Sequence, residues 1–164
     1  MHDSSTDATP IAISAEADSP AAPVRKRPKP GERRVQILQA LAAMLEQPGS
    51  ERVTTAALAA RLEVSEAALY RHFASKAQMF EALIEFIERS IFALVNQITA
   101  DPLDAAESRR QALRILTVLL QFGEKNPGMT RVMVGDALVF ENERLQQRMN
   151  QFFDKIEASL RQCL

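Results

Sequence analysis

The 164-residue sequence predicts an all-α protein, a small helix-turn-helix head on a larger helical body. Three observations carry that prediction. Apolar residues recur three and four apart along most of the chain after residue 31, which is the period of one helix face. Ala, Leu, Glu, Gln and Arg, all strong helix formers, dominate the same stretches, and there are only five glycines. No segment shows the apolar/polar alternation of a half-buried strand.

The chain divides into three parts. Residues 1–30 hold five prolines and few large apolar groups, too little burial to offset the entropy of ordering, so a disordered arm is expected there. Its end is basic, with Arg25, Lys26, Arg27 and Lys29 running into Arg33 and Arg34. Two readings of the arm stand side by side, a solubilising tail and a strand that lies along DNA phosphates or enters a minor groove. Residues 31–76 form the head and residues 77–164 the body.

Each helix has its own local reason. The first is expected over 32–47, with Val35, Ile37, Leu38, Leu41, Met44 and Leu45 on one face, stopped by Pro48 and Gly49. Thr54 or Thr55 caps the second, which runs to about Leu62. Ser65 caps the third, expected to reach Phe73, and Ser75 caps a long fourth helix from Lys76. That helix carries Met79, Phe80, Leu83, Ile84, Ile87, Ile91, Leu94, Val95 and Ile98 on one side, with Phe86 at the edge of the stripe and Phe92 well off it. A fifth helix is expected over 105–122. Asn126 and Pro127 suit the N-cap and first position of a short sixth helix to about Val134. The last helix is expected from Asp136 or Ala137, with Leu145, Met149, Phe152, Phe153, Ile156 and Leu160 on one face.

Charge is unevenly placed. The chain's net charge is −1, yet residues 25–80 hold ten basic side chains against five acidic ones, while residues 81–164 hold ten against twelve. A basic segment on a mildly acidic body suits a molecule that touches a polyanion with one end, and equally a solvated surface. The single cysteine, Cys163, excludes an internal disulfide and suits a reducing compartment. The N-terminus lacks the basic and apolar regions of a signal peptide, and no apolar run approaches the roughly 18 residues needed to cross a bilayer. A soluble cytoplasmic protein is expected. No nucleophile–base pair, phosphate-cradling glycine loop or metal-ligand spacing is visible, so no enzymatic activity, metal or cofactor is expected.

The segment from Leu58 to Lys76 meets the spacing of a helix-turn-helix. Ala59 is the small residue at the helix crossing, the bend follows at Glu63, and Leu69 lies six residues further on. Leu58, Leu62, Val64 and Phe73 supply the other buried positions. Ser65, Glu66, Ala67, Ala68, Tyr70, Arg71 and His72 then fall at the start or on the outer face of the second helix, where a major groove would be read. Tyr70 and Arg71 suit phosphate or base contacts. Thr54, Thr55, Ser65 and Lys76 suit phosphates. Glu66 is the odd member, suited either to accept from a cytosine amino group or simply to repel unfavourable sites. A plain helical hairpin shares this spacing, and Glu63 stands where a left-handed turn favours glycine.

The run "TTAALAARLEVSEAALYRHFASKAQMF" resembles the DNA-binding head of TetR-family regulators. "SEAALYRHF", "LIEFIE", "FGEKNPGMTR" and "ALVFENERLQQR" are similar to a subgroup of that family that acts in cell division. The resemblance runs from about Glu32 to Leu164. It implies a homodimer bound to palindromic double-stranded DNA on the nucleoid. It also implies a second partner, the C-terminal tail of the tubulin-like division protein FtsZ, whose ring assembly over the chromosome such proteins oppose. The tail is expected in a groove beside the fourth helix, with Phe86, Lys125 and Asn126 as its candidate contacts; ordinary core packing is the other reading of Phe86. The resemblance also implies that two final helices completing the family's dimer interface are missing from this chain, leaving apolar surface exposed on the fifth and seventh helices. The alternative within the family is a ligand-responsive repressor, with Phe122, Met129, Met133 and Phe140 as candidate pocket lining, although these four read more readily as core.

Overall fold

The computed structural model describes residues 28–47, 52–100 and 104–164. Most of the N-terminal arm, including Arg25, Lys26 and Arg27, lies outside the described residues, as do the breaks at 48–51 and 101–103. The described chain is helical throughout: α1 (Glu32–Leu45), α2 (Thr55–Arg61), α3 (Glu66–Tyr70), α4 (Lys76–Ile98), α5 (Ala105–Lys125), α6 (Pro127–Met133) and α7 (Glu143–Cys163), with a 3₁₀ turn at Asp136–Leu138.

Helix starts follow local side-chain chemistry. Thr54 Oγ1 accepts from Ala57 N at 3.1 Å, Ser65 Oγ from Ala68 N at 3.2 Å and Ser75 Oγ from Gln78 N at 3.2 Å. Each satisfies an amide that the helix leaves without an internal partner. Asp104 and Asn142 do the same for α5 and α7.

Four boundaries differ from the sequence expectation. The helix α1 ends at Leu45 and not Gln47, and α5 runs on past Phe122 to Lys125. The helix α3 stops at Tyr70 and not Phe73, because the His72 and Phe73 amides both turn in to the Leu69 carbonyl while the Phe73 ring is drawn into the core. The last helix begins at Glu143 and not Asp136. Gly135 adopts φ 82, the next three residues form the 3₁₀ turn that buries Ala137 and Leu138, and Asn142 then caps α7. Pro127 takes the first position of α6 as expected, but Asn126 does not cap it with its side chain; its amide Nδ2 donates back to the Phe122 carbonyl at 2.8 Å.

The spine of the molecule is α4. Met79, Phe80, Leu83, Ile84, Ile87, Ile91 and Val95 are all buried, and the helix packs on α1, α5, α6 and α7 in turn. Each such side chain contributes about 1.5–3 kcal/mol as an upper estimate. Phe92, off the main stripe, still finds the core by meeting Phe152 of α7 edge-on, with ring centroids 6.0 Å apart.

The body grips the head through α1. Gly128 in α6 lies so close to that helix that a Cβ there would fall 2.0 Å from the Ala42 carbonyl oxygen. Beside it, Arg131 donates to the Leu45 carbonyl at 2.9 Å, tying α6 to the C-terminal end of α1. The apolar surface expected on α5 is present: Leu113, Leu116 and Leu120 are 64%, 44% and 75% exposed. On α7 only Phe153 follows suit; Leu164, just past that helix, and Val134, Val139 and Phe140 near the 3₁₀ turn are also exposed. No helix among the described residues is long and apolar enough to cross a membrane.

Candidate nucleic-acid interface

The helices α2 and α3 form the expected bihelical unit. Leu58, Ala59, Leu69 and Phe73 are buried, which fixes the crossing and turns the opposite side of α3 outward. Glu63 sits at the bend with φ 54, a left-handed conformation adopted by a non-glycine residue. Its neighbours close the turn around it: Glu63 N donates to the Ala60 carbonyl and Val64 N to that of Ala59.

On the outward side, Thr54, Ser65, Glu66, Ala67, Tyr70 and Arg71 are exposed, while Thr55, Ala68 and His72 are half-buried. Thr55 Oγ1 donates to Glu66 Oε2 at 2.9 Å, and Tyr70 Oη lies 3.5 Å from the same threonine oxygen. Arg71 has no ion pair among the described residues. It shares with Arg33, Ala68 and His72 the rim of a hollow of about 300 Å³ between α1 and α3.

The position of α3 is held from behind by Arg34. Its guanidinium donates to the His72 carbonyl and lies 4.2 Å from the Phe73 ring centroid, a cation–π contact. Lys76 behaves differently from its sequence expectation as a phosphate ligand. Its ammonium pairs with Glu141 at 2.5 Å, and the two side chains are only 20% and 8% exposed, so it joins the head to the start of α7.

Phe86 lies in a second region, beside α4. It is half-buried and lines a small apolar crevice with Val35, Leu38 and Gln39 of α1 and Met129 of α6. Asn126 is half-buried at the α5–α6 junction, and Lys125 is exposed next to it. Both precede the helix that carries Met129, but neither lines the crevice. Of the residues named for a ligand pocket, Met129 and Met133 are buried in the core, Phe122 packs against it and Phe140 is 61% exposed.

Comparison with known proteins agrees with this architecture. Residues 37–83 match the family model described as bacterial regulatory proteins, tetR family, and residues 107–164 match a tetracyclin repressor-like C-terminal domain of the SlmA-like type. The chain is 58% identical over 133 residues to the nucleoid occlusion factor SlmA of Photobacterium profundum, covering 80% of this chain and 66% of that protein. It is 56% identical over 138 residues to SlmA of Aliivibrio fischeri, covering 84% and 69%. The chain belongs to the TetR family, within its SlmA group. A further relative, SlmA of Escherichia coli O1:K1 / APEC, is 56% identical over 133 residues, covering 80% and 66%. The chain thus spans about two thirds of the length of these relatives.

For a TetR-family head, two parts of this interface escape sequence reasoning. Arg34 reads as one of a basic run at the arm's end, whereas the fold makes it a prop for α3. Glu141 carries no local signal at all, because it stands 65 residues from Lys76 and meets it only through the packing of α7 on α4. A second long-range cluster, Glu88 with Arg148 and Lys155, escapes for the same reason.

Proposed function

We propose that this protein is a nucleoid occlusion factor, a DNA-binding regulator of cell division without enzymatic activity. Two copies of the head read a palindrome, each placing α3 in a major groove. Thr54, Thr55, Ser65, Glu66, Ala67, Ala68, Tyr70, Arg71 and His72 form the contact face. Lys76 reaches a phosphate only by giving up Glu141. The observation that carries this reading is the outward face of α3, polar and small-residued over a buried Leu69 and Phe73, on the basic third of the chain. Small Ala67 and Ala68 let the helix approach base edges, while Arg71 and Tyr70 flank them.

The body carries the second activity. The Phe86 crevice takes an apolar side chain of the FtsZ C-terminal tail, with Lys125 and Asn126 as polar neighbours, and the bound complex opposes Z-ring assembly over the chromosome. The protein works on the nucleoid, in the cytoplasm, as a homodimer.

The test is selection of bound DNA from a random pool, with and without FtsZ tail peptide. A palindromic motif is expected, together with saturable peptide binding. Arg71→Ala and Tyr70→Ala should each weaken binding to that motif by about tenfold or more. Unchanged binding in both variants would reject α3 as the reading helix. Silence toward the peptide, combined with release of DNA by a small molecule, would make the protein a ligand-responsive repressor instead.

A further inference from the structure

The contact face of the head carries one negative charge that a DNA-binding surface does not need. Glu66 is exposed in the first turn of α3, within residues 25–80, where basic side chains outnumber acidic ones ten to five. Its Oε2 is held at 2.9 Å by the Thr55 hydroxyl, and the Tyr70 hydroxyl lies 3.5 Å from the same threonine oxygen. Thr55 opens α2, so the three side chains fix the carboxylate between the two helices. Its other oxygen, Oε1, has no partner among the described residues.

A carboxylate fixed in this way accepts hydrogen bonds and cannot donate them. Beside DNA it is repelled by phosphates and by base acceptors, and only a base amino group offsets that cost. The major groove offers two such groups, cytosine N4 and adenine N6. Adenine sets its N7 lone pair next to N6, where it opposes a carboxylate, whereas cytosine has a C–H at the corresponding place. Guanine presents two acceptors, O6 and N7, and thymine an acceptor and a methyl group. Cytosine is therefore the base that Glu66 favours and guanine the base that it rejects most strongly.

We propose that Glu66, positioned by Thr55, fixes a C·G pair at one place in each half-site, by accepting from cytosine N4 and by excluding guanine. This rests on the DNA-binding reading above. A purely structural brace between α2 and α3 would not need the charge, since glutamine offers Thr55 the same acceptor oxygen.

That difference supplies the test. The full chain and its Glu66→Gln variant are each put through selection from a random DNA pool, and affinities are then measured for the selected site and for sites changed at single symmetric positions. The wild type should discriminate against a C·G to G·C exchange at one symmetric position by about tenfold or more. In Glu66→Gln that discrimination should fall to within about threefold, with the other positions unchanged. Thr55→Val should blunt the same position, and Thr55→Ser, which keeps the hydroxyl, should restore it. An unchanged motif in Glu66→Gln would overturn the proposal while leaving DNA binding intact. So would an equal loss of affinity for every sequence in a Thr55→Val variant that circular dichroism shows to be folded, which would make the Thr55–Glu66 contact a brace only. Failure of the wild type to enrich any sequence would overturn the DNA-binding reading itself, and this proposal with it.

Discussion

Glu63 shows how a single backbone angle carries a cost that the rest of the head absorbs. At φ 54 its Cβ crowds the following carbonyl, a penalty of about 1–2 kcal/mol that glycine escapes. Glycine in turn loses more freedom on folding, about 0.5–1 kcal/mol. Glu63→Gly should therefore stabilise the protein by about 0.5–1 kcal/mol in chemical denaturation and leave the selected DNA motif unaltered. A change of motif would mean that the bend itself sets how α3 is presented. The position of this bend was legible in the sequence because the pattern Ala59, Glu63, Leu69 is local. The role of Arg34 was not, since its partner, the His72 carbonyl, lies 38 residues away and is a backbone atom.

Helix starts and helix ends differ in how far a sequence can reveal them. Thr54, Ser65 and Ser75 cap their helices as expected, because a cap needs only a hydroxyl and amides two or three residues on. The early end of α3 and the late start of α7 are decided by burial of Phe73 and of Ala137 and Leu138 against other elements, which no local pattern reports. Pairing between α4 and α7 is of the same kind. Glu88 is 13% exposed and meets Arg148 at 2.5 Å and Lys155 on its other side. Burial alone would raise the Glu88 carboxyl, but hydrogen bonds and charge from Lys155 and Arg148 outweigh it and hold the group below its ordinary value of 4.5. A carboxyl lowered in the folded state stabilises that state above its unfolded pKa and loses the contribution as pH falls through the folded one. Glu88→Gln should thus cost about 1–3 kcal/mol near neutral pH. The gap between variant and wild type should close progressively below about pH 4.5. Thermal melts across pH 3–7 read this directly, and a gap that stayed constant with pH would show that the ion pairs contribute nothing beyond shape.

At the scale of the molecule, the sequence places its net positive charge in residues 25–80, while α5 carries an apolar ridge. Leu113, Leu116 and Leu120 stand a turn or so apart on that helix, and all are substantially exposed. Self-association of the full chain should rise with concentration in sedimentation velocity, and Leu116→Glu with Leu120→Glu should shift it toward the monomer. A wild type that stays monomeric at high concentration would remove the ridge from any account of dimer formation. The all-α architecture and the head were readable beforehand because both rest on periodicity and spacing. The Phe86 crevice was readable only as a stripe-edge residue, since its other walls come from α1 and α6.

One helix serves both ends of this molecule. Val35, Leu38 and Gln39 of α1 wall the Phe86 crevice, and Arg34, on the same helix, holds α3 through His72 and Phe73. A ligand that shifted α1 from the crevice side would reach α3 through Arg34, and a ligand that shifted α3 would reach the crevice by the same route. Because equilibrium coupling is reciprocal, whatever factor DNA applies to the affinity of a crevice ligand, that ligand must return to DNA. Two titrations of the same protein, each partner measured with the other saturating, should close this thermodynamic cycle on a single number.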